Sequence, residues 1–155
     1  MKNLHLENKI LKTLSSEQDV FLVGPSDSGK TWFIKNRLLP FFSQNHKKVV
    51  YFSNCEKISA SRLKNADYII VDEVETMQDL KFLETIYPQK KPYYSDSYKT
   101  KVKIWFKLLK SIKQPGIFVV TRKKQTIDYF LKNIITPDWH NKKVKVIEFN
   151  KKSSI

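Results

Sequence analysis

The chain has 155 residues, a length that suits one domain with a real buried core (1–155), and a formal net charge of +14 from 29 basic and 15 acidic side chains. It holds no apolar run near the roughly 20 residues of a membrane-spanning helix and no signal-peptide core at its start, so no membrane role is expected. Cys55 is alone, which rules out an internal disulfide, and His5, His46 and His140 are scattered, which points away from a Cys/His metal cluster.

A lone thiol fits a reducing, cytoplasmic setting, or a host cytosol for a viral chain. The positive charge is nearly all lysine, spread from end to end, with Arg37, Arg62 and Arg122 the only arginines. Such an excess speaks first to solubility and nonspecific attraction to polyanions, and only then to a dedicated nucleic-acid partner.

Residues 3–15 put Leu4, Ile10, Leu11 and Leu14 on one helical face, which predicts a helix lying against a sheet. After a polar turn, Val20–Val23 reads as a strand. It ends in Gly24-Pro25-Ser26-Asp27-Ser28-Gly29-Lys30-Thr31, the pattern G-x-x-x-x-G-K-[ST], and a helix is expected from Lys30 to Leu39, where Pro40 stops it. Trp32 reads as a packing residue of that helix, with stacking on a nucleotide base as the alternative. A second strand is expected over 48–53 and a short helix within 56–65. Tyr68-Ile69-Ile70-Val71 then forms an apolar strand that ends in Asp72 and Glu73. Runs apolar throughout suit a strand covered on both faces.

Residues 76–87 have helical spacing, 88–98 are irregular and rich in Lys and Tyr, and 99–113 carry an apolar stripe with lysines on another face. A fourth strand is expected at Ile117–Thr121, a helix at 125–134 and a fifth strand at 143–149. Strands and helices thus alternate throughout. That pattern predicts an α/β fold: a three-layer αβα sandwich with a five-stranded, mostly parallel sheet. Ligands of such sheets sit at the carboxyl ends of the strands, where Gly24, Asp72 and Thr121 would emerge.

The glycine pattern is specific. Only three glycines occur in the chain, and two stand at the required positions. In a strand–loop–helix setting, the backbone N–H groups of the loop and the helix N-terminus face one concavity suited to a polyphosphate. Lys30 would reach the terminal phosphates, and the Thr31 hydroxyl would bind Mg²⁺. Asp72 would supply the strand-end carboxylate that holds the metal, directly or through water. Glu73 would orient and deprotonate the attacking water, with Glu75 as a more distant substitute. Thr121 could touch the γ-phosphate, and Arg122 could place a bidentate cation on it.

These segments resemble the additional-strand class of P-loop NTPases, especially AAA+ and signal-transduction ATPase cores. Gly24–Thr31 looks like their Walker A loop, Tyr68–Glu73 like their Walker B strand and Ile117–Thr121 like their sensor strand. The resemblance implies the P-loop NTPase fold, with the sensor strand between the two motif strands, and ATP with Mg as ligands. The chain departs from AAA+ proteins in lacking a helical lid after the fifth strand and any arginine beyond Arg122. A second resemblance is to helicase cores of small viral and plasmid replication proteins, which place a nucleic-acid-touching loop between the Walker B strand and the next. Here Lys90, Lys91, Tyr93, Tyr94 and Lys103 occupy that place, and could stack bases and neutralise phosphates.

The leading expectation is an ATPase (a nucleoside-triphosphate hydrolase) that drives or gates a nucleic-acid or protein assembly, as a partner of other proteins or as a homo-oligomer. The alternative is a nucleotide- or nucleic-acid-binding adaptor with little turnover. A small-molecule kinase is a third reading, disfavoured by three arginines.

Overall fold

The computed structural model describes residues 4–25, 27–53, 58–72, 112–120 and 143–149. Helix α1 (His5–Ser15) leads into strand β1 (Asp19–Val23). A helical run follows in three parts: α2 (Lys30–Phe33), a π-helical turn (Ile34–Leu38) and α3 (Leu39–Gln44). Strand β2 (Val49–Phe52), the short helix α4 (Ala60–Leu63), and strands β3 (Tyr68–Val71), β4 (Gly116–Val120) and β5 (Val144–Glu148) complete the described elements.

The five strands form one sheet in the order β2-β3-β4-β1-β5, and every neighbouring pair is parallel. The strand that follows the acid-bearing β3 therefore lies between it and β1, as expected. The register aligns Phe52, Val71, Phe118, Phe21 and Val146 across the sheet on one face. Tyr51, Ile70, Ile117, Val20 and Lys145 align on the other, one residue earlier along each strand.

Both faces are buried. On the second of these faces, Val20, Leu22, Tyr68, Ile70, Ile117, Val119 and Ile147 pack with Ile10 and Leu14 of α1 and with Phe33, Ile34, Leu38, Phe41 and Phe42 of the helical run. On the first, Phe21 and Phe118 meet edge to face at 5.8 Å between ring centroids, and Phe52 lies under the Arg62 guanidinium of α4. Helices therefore flank both sides of the parallel sheet, an α/β arrangement in three layers. Each buried Phe, Leu or Ile contributes about 1.5–3 kcal/mol of transfer free energy, so the two apolar faces dominate the stability of the sheet.

Two expectations are corrected. Pro40 does not end the helix, which continues to Gln44 with Pro40 in the first turn of α3. The Leu39 N–H reaches back five residues to the Ile34 carbonyl, so the π turn widens the helix just ahead of the proline. A proline in an α-helix loses one hydrogen bond and clashes with the carbonyl four residues back, and a local π turn relieves both. Leu4 does not join the apolar face of α1 either, being 43% exposed where it precedes the helix. The expected helices at 76–87 and 125–134, the stretch 88–98 and the segment 99–111 lie outside the described residues. Ile112, at the end of that segment, is buried but not helical.

Candidate functional site

Gly24 directly follows β1, and Asp72 directly follows β3, so both stand at the carboxyl edge of the sheet. Their strands are separated by β4, a span of about 10 Å at the usual strand spacing. Two backbone bonds hold these strand ends in place. Asp72 N–H donates to the Phe52 carbonyl at 2.9 Å, and Phe149 N–H donates to the Val23 carbonyl at 2.7 Å.

The loop after β1 is tight because glycine permits it. A Cβ on Gly24 would sit 2.7 Å from the Phe149 carbonyl oxygen and 3.2 Å from Ser28 Oγ, which leaves no space for a side chain. Gly29 has φ +92°, and Asp27 takes φ +56°, a left-handed value that aspartate tolerates better than most residues. The chain then turns into α2, whose N-terminus has no side-chain cap. The N-cap residue, Gly29, supplies no capping side chain, and a helix start of this kind suits an anion.

Lys30 is only 6% exposed. Its Nζ donates to the Gly24 carbonyl at 2.8 Å, the Pro25 carbonyl at 2.6 Å and Ser28 Oγ at 3.2 Å, so the loop wraps its own lysine. Thr31, the next residue, crosses the gap between strands. Its hydroxyl donates to Asp72 Oδ2 at 2.8 Å, and the Tyr51 hydroxyl donates to the same oxygen at 2.9 Å. Asp72 is 5% exposed, so this carboxylate is buried and doubly hydrogen-bonded.

The donor set fits the expected ligands. Thr31 and Asp72 present two hard oxygens 2.8 Å apart, and adjacent ligands of a Mg²⁺ octahedron with bonds of about 2.0–2.1 Å lie about 2.9 Å apart. Beside them are a glycine turn with no room for a Cβ, an uncapped helix start and a lysine. Those features suit the phosphates of a nucleotide.

Of the residues singled out from the sequence, Gly24, Pro25, Ser28, Gly29, Lys30, Thr31 and Asp72 come together here. Asp27 is exposed on the rim. Trp32 is 57% exposed, so it is not the packing residue its helical position suggested. Its place on α2 turns it away from the sheet, where Phe33 and Ile34 are buried instead. Ser26, Glu73, Glu75, Thr121, Arg122, Lys90, Lys91, Tyr93, Tyr94 and Lys103 lie outside the described residues.

Sequence reasoning missed Tyr51. Its register partner is Ile70, two residues before Asp72, so the two side chains share a face and meet diagonally across neighbouring strands. Only the register could have signalled it.

No family model matches the chain, and no curated protein matches it. Among solved structures, the chain is similar to one described as a DNA replication initiation factor, with a TM-score of 0.52 at 15% sequence identity. The match covers 96% of this chain and 46% of that one, so the chain spans about half that protein's length. The shared property is the fold. It rests on a five-stranded parallel α/β sheet with the glycine loop at the end of β1 and the aspartate at the end of β3.

Proposed function

We propose that the chain is a Mg-dependent ATP-binding and ATP-hydrolysing protein whose turnover drives or gates a nucleic-acid or protein assembly. The 2.8 Å contact between the Thr31 hydroxyl and the Asp72 carboxylate carries this reading, because it joins the end of the phosphate loop to the end of β3. A chance glycine turn would have no reason to meet a buried carboxylate two strands away.

In this reading the loop from Gly24 to Gly29, with Pro25, Ser26, Asp27 and Ser28 between, wraps the phosphates through its N–H groups. Lys30 exchanges its bonds to the Gly24 and Pro25 carbonyls for terminal phosphate oxygens and neutralises their charge. Thr31 and Asp72 hold Mg²⁺, which when bound would screen the negative charge of the β- and γ-phosphates. Glu73, next in the chain after Asp72, orients the attacking water and takes its proton. Thr121 and Arg122 follow β4 directly and would meet the γ-phosphate. Trp32, exposed one residue beyond Thr31, is available to stack on the base.

The likeness to a DNA replication initiation factor supports an assembly on nucleic acid, with a protein partner or further copies of this chain. No described helix is long and apolar enough to cross a membrane.

Two variants test the reading. Lys30→Ala should abolish binding of a fluorescent ATP analogue. Glu73→Gln should retain binding while turnover falls by about 10²-fold or more, the scale of a lost general base. Wild-type affinity in Lys30→Ala would reject the nucleotide site. Tight binding with wild-type turnover at background, with or without polynucleotide, would favour the low-turnover adaptor.

A further inference from the structure

Helix α1 carries charge on two sides, and the two are used differently. Its inner side buries Glu7 with Ile10 and Leu14, and the Glu7 carboxylate lies 2.7 Å from Arg37. Its only acid is thereby drawn into the core. On its outer side, Lys9 and Lys12 stand one turn apart, close enough to act on one ligand. Facing them across a concavity of about 570 Å³ is Lys145 of β5, the edge strand of the sheet, with Asn8 and Gln18 along the walls. Lys145 pairs in register with Val20, whose side chain lies beneath α1, so its ammonium is carried on the side of the sheet that α1 covers. No carboxylate is among the described residues that line this groove.

We propose that this groove between α1 and β5 binds the phosphate backbone of a polynucleotide strand. Three lysines line the groove, with side-chain amides to hydrogen-bond phosphate or sugar oxygens and, among the described residues, no acid to compensate. Phosphate contacts of this kind position a strand without reading its sequence. Among the described residues the groove is lined by one ring, His5, and by no Phe, Tyr or Trp, so it offers no platform for stacking successive bases. A protein partner is less well matched. Interface centres are rich in aromatic residues and Arg and poor in Lys, the reverse of this lining.

The groove is a different surface from the phosphate loop, and it is tested apart from the nucleotide site. Affinity of the full chain for a short fluorescein-labelled mixed-sequence DNA single strand is measured by anisotropy across a series of salt concentrations. The groove variant is Lys9→Gln/Lys12→Gln/Lys145→Gln. The control, Lys47→Gln/Lys48→Gln/Lys64→Gln, removes the same charge near β2, at the opposite edge of the sheet.

The groove variant should bind about tenfold or more weakly, and its plot of log affinity against log salt should be shallower by about 2, at ~0.7 for each lost contact to a single strand. The control should stay within about threefold of wild type, and the Lys→Arg version of the groove triple should bind like wild type. Fluorescent ATP binding should be unchanged in all three, so failure here is distinct from failure of the nucleotide site. Equal weakening in groove and control variants would overturn the proposal, leaving only bulk charge. So would wild-type binding by the groove variant accompanied by aggregation, since the lysine would then serve to blunt an edge strand. Equal competition by polyglutamate and by unlabelled DNA would overturn it as well, in favour of an acidic protein.

Discussion

Asp72 receives two hydroxyl donors on one oxygen, Thr31 at 2.8 Å and Tyr51 at 2.9 Å, while almost wholly buried. A buried carboxylate needs such partners, and a hydrogen bond to a charged group contributes about 1.5–3 kcal/mol. Under the proposed function Thr31 would leave that bond for a metal, whereas Tyr51, reaching in from β2, would keep the carboxylate aimed. Removing a partner that orients a metal ligand costs about 10–100-fold in metal affinity. Tyr51→Phe should therefore lower Mg²⁺-dependent nucleotide affinity by about tenfold and leave Mg²⁺-free binding nearly unchanged. Isothermal titration with and without Mg²⁺ checks this, and an equal loss in both conditions would make Tyr51 a packing residue only. The Lys35 ammonium lies 5.5 Å from the Tyr51 ring centroid and helps seat the ring.

Among the elements, α1 is tied to the helical run by an ion pair inside the core. Arg37 Nη2 lies 2.7 Å from Glu7 Oε1, and the two side chains are 8% and 0% exposed. The contact is close-range charge and not an aligned hydrogen bond, since neither Glu7 oxygen has a hydrogen-bond partner among the described residues. The Arg37 guanidinium also sits 5.5 Å from the Phe33 ring centroid. Breaking a buried pair leaves an uncompensated charge and costs about 3–5 kcal/mol, while replacing both members by apolar residues is often neutral or stabilising. Arg37→Met should thus destabilise the chain by about that amount in urea unfolding, and Glu7→Met/Arg37→Met should recover most of the loss. If the double variant is as unstable as the single one, the pair is needed for packing geometry and not for charge balance. The turns between elements show the same economy of glycine. Glu17, His46 and Asn65 take positive φ values after α1, α3 and α4, positions where many proteins place glycine. Asn accepts this conformation readily, whereas Glu takes it at some cost.

At the scale of the whole molecule, the sheet sets the distances on which the site depends. The third glycine, Gly116, opens β4, where its N–H donates to the buried Asp19 Oδ1 at 2.8 Å. A Cβ there would lie 2.8 Å from Ile69 Cγ1 and 3.0 Å from the Phe118 ring. Gly116→Ala should therefore cost about 1–3 kcal/mol, the usual penalty for overpacking a core, because the Ile69 side chain and the Phe118 ring would have to shift. Because β4 lies between β1 and β3, the same shift should weaken nucleotide binding along with stability. Thermal melts and ATP titrations on one preparation would show both, and an unchanged melting temperature would mean that these side chains yield freely.

The loop, the acid-bearing strand and the positions of the five strands were legible in advance because each is a local pattern. Glycine spacing, apolar runs and alternation of strand with helix depend on neighbours in the chain. The continuation of the helix through Pro40 was not legible, because the π turn that admits the proline is set by packing of Ile34 and Leu38 against the sheet. Trp32 was misplaced for a similar reason. Helical periodicity does not reveal which side of α2 meets the sheet until the loop has fixed its rotation.

By itself, then, the sequence determined the class of fold, the position of the glycine loop with its lysine and threonine, and the aspartate that closes β3. Tertiary structure alone decided that Thr31 and Tyr51 meet on one oxygen of Asp72, that Glu7 is buried against Arg37, and that Lys9, Lys12 and Lys145 share a groove. Spacing along the chain is written in the chain. Contact between residues tens of positions apart depends on strand register and helix rotation, which the whole core sets together.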